Sequence, residues 1–165
     1  MTEFLLSQQD YITFFYGTAL IILSAACFVM RRREGDPLPW SYLGTFALLH
    51  GCHEWLEIFA PFLGKSLFLE IFRSSLALTS FFFLFEFGRR GISQDKGKAP
   101  GWWLYIPLFF LSALGGLVAG WEGFIDASRY AIGFPGGLLS ATVLLLASRR
   151  YTALPRPLLF AASLI

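Results

Sequence analysis

The chain has 165 residues, the length of one modest domain. Hydrophobic residues make up 56%, aromatic residues 18% (with 19 Phe) and charged residues only 15%, and the mean hydropathy is +0.60. A soluble domain carries roughly 25% charged residues, so this composition excludes a soluble globule, along with disordered, collagen-like, coiled-coil and disulfide-scaffold chains. The net charge is +2 and the Lys and Arg are scattered between apolar runs, which gives nucleic-acid binding no support. What remains is an all-α integral membrane protein whose main partner is the lipid bilayer.

A hydrocarbon core of about 30 Å takes roughly 20 residues of apolar helix. Five segments meet that length: 12–30, stopped by Arg31, Arg32 and Arg33; 40–62; 66–87, stopped by Arg89 and Arg90; 102–120; and 128–147, stopped by Arg149 and Arg150. They are too long and too continuously apolar for the alternating strands of about ten residues that make a membrane β-barrel. The expected fold is a single helical bundle of about five transmembrane helices.

Orientation follows from the cations. With the N-terminus outside, residues 31–39, 89–100 and 149 onward are cytoplasmic and hold ten of the thirteen Lys and Arg; only Lys65, Arg73 and Arg129 fall elsewhere. That asymmetry orients the chain across its membrane. Glu3, Asp10, Glu122 and Asp126 then lie outside, and Trp40, Trp102, Trp103 and Trp121 mark span ends. The first segment lacks a basic leader and is followed by its charges, so it reads as a retained anchor rather than a cleaved signal. Residues 158–165 are apolar but too short to span. They read as the start of a sixth span cut by the end of the chain, or as an interfacial segment.

Ionisable side chains inside spans are costly and mark pairing or function. The second segment concentrates them in the run HGCHEWLE: His50, His53, Glu54 and Glu57. On a helical wheel with His50 at zero, these four share an arc of about 100°, with Cys52 on the opposite side. His50 and His53 lie near the midplane, Glu57 about 8 Å outward, and on the third segment Arg73 and Glu70 about 6 Å and 10 Å outward. These depths predict Arg73 with Glu54 or Glu57, and Glu70 with Arg129. Glu86, beside Arg89 and Arg90, is expected to form a surface ion pair.

Three chemistries fit such a face. Charges can pair across helices and fix packing alone. An imbalance of four ionisable groups against one Arg can instead serve a proton, a cation or a polar ligand. Two His three apart with Glu54 or Glu57 one turn on can also supply three ligands to zinc, copper, iron or manganese. The pattern is neither HExxH nor the Glu-x-x-His of di-iron bundles. Haem held by both His would need a second subunit, since both sit on one helix. Cys27 and Cys52 lie at different depths and are not expected to pair. Gly116 with Gly120, and Gly133 with Gly137, are small-xxx-small pairs that permit close helix approach, and Pro135 in GFPGG is expected to kink or loosen the fifth segment. No catalytic triad, phosphate loop or CxxC pair is present, so no enzyme activity is expected of the chain.

The runs HGCHEWLEIF, FRSSLALTSFFFLFEFGRR and RYAIGFPGGLLSA resemble the membrane-embedded N-terminal region of bacterial signalling proteins in which a multi-span bundle precedes a sensor histidine kinase or diguanylate cyclase. The resemblance covers roughly residues 10–150 and rests on His50, His53, Glu54, Trp55, Arg73, Arg129, Pro135 and Gly136. It implies a sensory or anchoring module in a two-component or similar signal-transduction system. Its partner would be a cytoplasmic output domain or protein, and a homodimer is compatible with it. The chain itself carries no kinase, cyclase or PAS-like domain. The reading is therefore a sensory input module; a transporter or ion-pathway subunit, and a haem- or metal-binding redox subunit, are the alternatives.

Overall fold

The computed structural model describes residues 2–32, 38–64, 66–96 and 101–150. Its elements are helices: α1 (Thr2–Met30), α2 (Trp40–Leu63), α3 (Leu67–Lys96), a short 3-10 turn (Trp102–Leu104), α4 (Tyr105–Ser128), a π-helical segment (Arg129–Gly133) and α5 (Phe134–Arg150). No strand occurs among the described residues. Residues 158–165, expected to begin a further span, lie outside them.

Three stretches are long and apolar enough to cross a membrane: Gln8–Met30, Leu67–Ser93 and Trp102–Ser148. Helix α2 is 24 residues long but carries two His and two Glu in its middle, which lowers its apolar character. Large side chains point away from the protein. Phe15, Ile22, Val29, Phe68, Leu117 and Val118 are all exposed, Val118 by 87%. Soluble monomers rarely expose apolar patches beyond a few hundred Å², and a surface built this way is compatible with lipid.

The 47-residue stretch is not one straight helix. Ala119 (φ −131°, ψ 19°) and Gly120 (φ 67°, ψ −147°) break it, and Gly120 occupies a backbone region that is essentially glycine-only. The chain reverses there. Gly115 comes to rest on Gly123 and Ala127, and Gly116 on Phe124. Residues 121–127, expected as a loop, are therefore helical, because two facing glycines let the legs meet without a longer connection. Gly120 is the turn and not a packing contact, which corrects the pairing of Gly116 with Gly120. Likewise Gly133 meets the Phe81 ring while Gly137 faces open space, so those two do not form one packing pair.

Pro135 lacks the N–H that would bond the carbonyl four residues back. The backbone accommodates this with a π turn over Arg129–Gly133, a local widening that is the looser of the two outcomes expected at Pro135.

In space the order is α1, α2, α3, α5, with α4 packed on the π segment and only grazing α3. Two seams of glycine hold the row together. Gly17 and Gly51 bring α1 and α2 together at their backbones, and Gly44 sits against Cys27. Gly88 backs onto Leu139 and Ser140, Gly91 onto Val143, and Gly136 onto Phe85, so α3 and α5 run parallel. The Ser140 hydroxyl donates to the Leu84 carbonyl across that seam at 2.9 Å. The densest core lies toward the end where α1 finishes at Arg31 and α3 carries Arg89 and Arg90. It joins Leu20, Leu43, Phe46, Ala47, Phe87 and Leu144 from four helices.

A methyl group added at Gly88 would lie 2.5 Å from Leu139 Cβ and 2.9 Å from the Ser140 backbone. Gly88→Ala should cost about 1–3 kcal/mol through overpacking. Gly137→Ala, with nothing within 4 Å, should be neutral or stabilise by up to about 1 kcal/mol. Thermal unfolding of the two variants in detergent checks the contrast.

Candidate functional site

Helix α2 turns its polar face toward α3, where antiparallel packing fixes which residues meet. Near the α2–α3 turn the Arg73 guanidinium grips Glu57 with two hydrogen bonds: Nε to Oε1 at 2.9 Å, and Nη2 to Oε2. Seven residues further along each helix, His50 Nδ1 meets Ser80 Oγ at 3.0 Å. The Ser80 hydroxyl donates its own hydrogen to the Ala77 carbonyl at 2.6 Å. Between these two contacts, His50 Nε2 stands 3.5 Å from Glu54 Oε1, and His53 Nε2 3.7 Å from Glu57 Oε1, each one helical turn on. The His50 and His53 rings are 5.7 Å apart.

The surroundings change along this row. A cavity of about 750 Å³ opens beside the α2–α3 turn, lined by Glu57, Glu70, Arg73 and Ser66 among others. His50 and His53 are buried behind it, at 8% and 4% exposure. His50 is enclosed by the rings of Phe46, Phe81 and Tyr16. Two buried nitrogens have no hydrogen-bond partner, His53 Nδ1 and Trp55 Nε1. Trp55 stacks on Phe14 and covers Gly17, so it seals the α1 side of the row. Arg129, on the π segment, lies within electrostatic reach of His50, His53 and Glu54.

No family model matches the chain, and neither a curated protein nor a solved structure matches it.

The structure thus brings together His50, His53, Glu54, Glu57 and Arg73, and sets Arg129 beside them. Glu70 does not pair with Arg129. It is exposed in the cavity that Glu57 and Arg73 also line, because the π segment packs level with the middle of α3 rather than its beginning. The metal alternative finds no assembled ligand set either. Among the described residues no three His, Cys, Asp or Glu converge on one point. Each His turns Nε2 to the Glu on its own helix, and His50 Nδ1 is taken by Ser80. As placed, these donors do not assemble a three-ligand metal set.

Glu86 departs from the expected surface pair. It is buried, at 5% exposure, and receives Arg89 through Nε and Nη2 at 2.7 and 2.6 Å, the Arg90 Nε, and the Tyr105 hydroxyl of α4. Arg90 also lies 4.6 Å over the Tyr42 ring of α2. This carboxylate ties α2, α3 and α4 at the arginine end. Helical spacing foretells the two Arg contacts, but nothing in the sequence pairs position 86 with position 105. Ser80 and Tyr16 are the other partners missed, since a lone hydroxyl in an apolar run carries no periodic signal. Cys27 and Cys52 are both free thiols.

Removing either member of the Glu57–Arg73 pair leaves the other charge without its partner. Glu57→Gln and Arg73→Met should each destabilise the protein, and the double variant should be milder than their sum by about 0.5–3 kcal/mol. A double-mutant cycle on detergent-solubilised protein measures that coupling.

Proposed function

We propose that the chain is the membrane-embedded input module of a bacterial signal-transduction protein. Its stimulus is read at the row formed by His50, His53, Glu54, Glu57 and Arg73. The observation that carries this reading is that the row meets a cavity at the α2–α3 turn and runs into packed apolar side chains at its other end. The cavity at the α2–α3 turn leads to Glu57 and Arg73, and behind His50 the interior is closed by Leu20, Leu43, Phe46, Ala47 and Phe87. On α2 that apolar plug runs for about 10 Å from His50 to Leu43 at 1.5 Å per residue. A polar site that ends blind in a hydrocarbon-like core binds and reports; conduction needs a polar route to both faces. An ion-pathway or transport role is the second reading, favoured by the cavity alone.

In the bilayer the module has five spans with the N-terminus outside, the α2–α3 turn outside, and the arginine end in the cytoplasm of an inner-membrane protein. The support is the clustering of Lys and Arg and the reversal at Ala119–Gly120, which divides the longest apolar stretch into two opposed legs. Output passes from the arginine end to a cytoplasmic domain or partner protein. The link is the Glu57–Arg73 pair, the His50–Ser80 contact and the Glu86 cluster, which join α2 to α3 and α3 to α4 along the whole length of the bundle. A stimulus that changes charge at the row acts by favouring one arrangement of these pairs over another.

Two measurements test the proposal. Single cysteines at Gln9, Gly64 and Glu122 in a cysteine-free background should react with an impermeant maleimide on intact cells, and one at Gly101 only after permeabilisation. The function itself is tested in the native host. A strain carrying His50→Leu and His53→Leu should reproduce the transcriptional changes of the deletion strain while the protein stays at wild-type abundance in the membrane. A double-Leu strain that matches wild type would sink the sensory reading.

A further inference from the structure

Hydrogen-bond accounting at His50 fixes more than its position. A hydroxyl has one hydrogen to give, and Ser80 gives its own to the Ala77 carbonyl at 2.6 Å. Toward His50 the Ser80 oxygen therefore accepts, and His50 Nδ1 carries a hydrogen. The other ring nitrogen, Nε2, faces the Glu54 carboxyl at 3.5 Å. A bare lone pair on Nε2 beside a part-buried carboxylate is unfavourable, and one proton shared across the contact relieves it. The contact is satisfied when the pair holds one proton, as imidazolium with carboxylate or as imidazole with carboxylic acid, and both forms are neutral overall. Losing it leaves a neutral imidazole, a carboxylate and a net charge of −1.

The neighbours of this dyad are arranged around that difference. From α1 comes Tyr16, its ring edge against His50 and its hydroxyl within electrostatic reach of Glu54. From α2 come His53 and Glu57. From α3 come Ser80 and Arg73, the latter already committed to Glu57. From the π segment comes Arg129, which makes no ion pair with a described residue and feels His50, His53 and Glu54. Arg129 is thus the cation available to a newly formed Glu54 carboxylate. It sits on the one π turn in the protein's described residues, a backbone form associated with functional sites.

His53 occupies the space between the dyad and the cavity. It is buried at 4% exposure, faces Glu57 with Nε2, and has the Arg73 backbone near its ring but no hydrogen bond of normal geometry at Nδ1. An imidazole so placed takes a proton on one nitrogen and releases one from the other. An orphaned buried nitrogen is costly by about 1–3 kcal/mol, which a bridging water relieves.

From these contacts we infer that His50 and Glu54 form a proton-binding dyad, loaded only from the α2–α3 end through the cavity, Glu57 and His53, whose unloading draws Arg129 toward Glu54. In loading, a hydronium in the cavity becomes water, its proton passes along the row, and the neutral imidazole and Glu54 carboxylate gain the one proton they share. This rests on the reading of the row as the stimulus site and specifies the stimulus as protons on that side.

The experiment uses the full chain reconstituted in phosphatidylcholine–phosphatidylglycerol vesicles. Vesicles in which the α2–α3 turn faces outward are selected by impermeant labelling of a cysteine at Gly64. Infrared difference spectra are recorded while the pH is stepped on one side at a time. A pH-dependent carboxyl or carboxylate band should respond to the outer step alone, vanish in Glu54→Gln, and in His53→Leu keep its amplitude while responding at least about tenfold more slowly. If Glu54→Gln fails to accumulate, Glu54→Asp serves, because it must move the band; an unmoved band assigns it to another carboxyl and overturns the proposal. No pH-dependent band in wild type, or an equal response from both sides, also overturns it. The in-cell test is independent: a silent dyad with a signalling defect in the double-Leu strain rejects protons as the stimulus, whereas a titrating dyad with no defect rejects the sensory reading.

Discussion

The arrangement of this protein depends on one constraint: a polar group in hydrocarbon has to find its partner within the protein. Helix α2 carries four ionisable residues on one face, and no lipid-exposed position can hold that face. It has to lie between neighbours, and it does, with α1 behind it and α3 in front. The Glu57–Arg73 pair and the His50–Ser80 contact then fix the register of α3 against α2 at two levels, seven residues apart on each helix. Once α3 is placed, its glycines at 88 and 91 set where α5 can approach.

The energetics of the rest differ from those of a water-soluble core. Between two helices already in lipid, burying Leu or Phe gains little, because lipid tails are equally apolar. Association relies on close backbone approach and on hydrogen bonds across helices. The buried residues reflect this. Ser24, Ser74, Ser80, Ser112, Ser128 and Ser140 are all buried, and glycines line both seams, while many of the largest apolar side chains face outward. The π segment belongs to the same economy, since Pro135 disturbs the backbone and the bundle absorbs the disturbance beside the polar row.

Much of this is legible in the sequence, and what is not has a physical reason. Helical class and the polar face of α2 follow from periodicity, because both are properties of a single helix. The depth argument brings Arg73 to the right carboxylates for the same reason: rise per residue is constant. It fails for Glu70 and Arg129, since the reversal at Gly120 and the π turn shift the last helix by amounts no periodicity reveals. Sequence spacing likewise puts Gly116 with Gly120, and Gly133 with Gly137, on close-approach faces, whereas Gly120 forms the turn and Gly137 meets nothing within 4 Å. Residues three apart on one helix share a face, but whether two imidazoles converge on one ion depends on what each nitrogen already holds. For His50 that is Ser80, thirty residues away.

The spatial order of the helices has a consequence for how the chain assembles. Helices α1, α2 and α3 are neighbours both in sequence and in space, so each can dock on its predecessor as it leaves the ribosome, and such local pairings form quickly. Helix α4 breaks that pattern by lying outside the row, while α5 returns past it to α3. The parallel α3–α5 seam therefore joins helices that do not follow one another in the sequence. It closes only after α4 has been inserted and the chain has turned at Gly120. Until then the glycine face of α3 is open to lipid or to another nascent chain, and α5 is the helix that covers it.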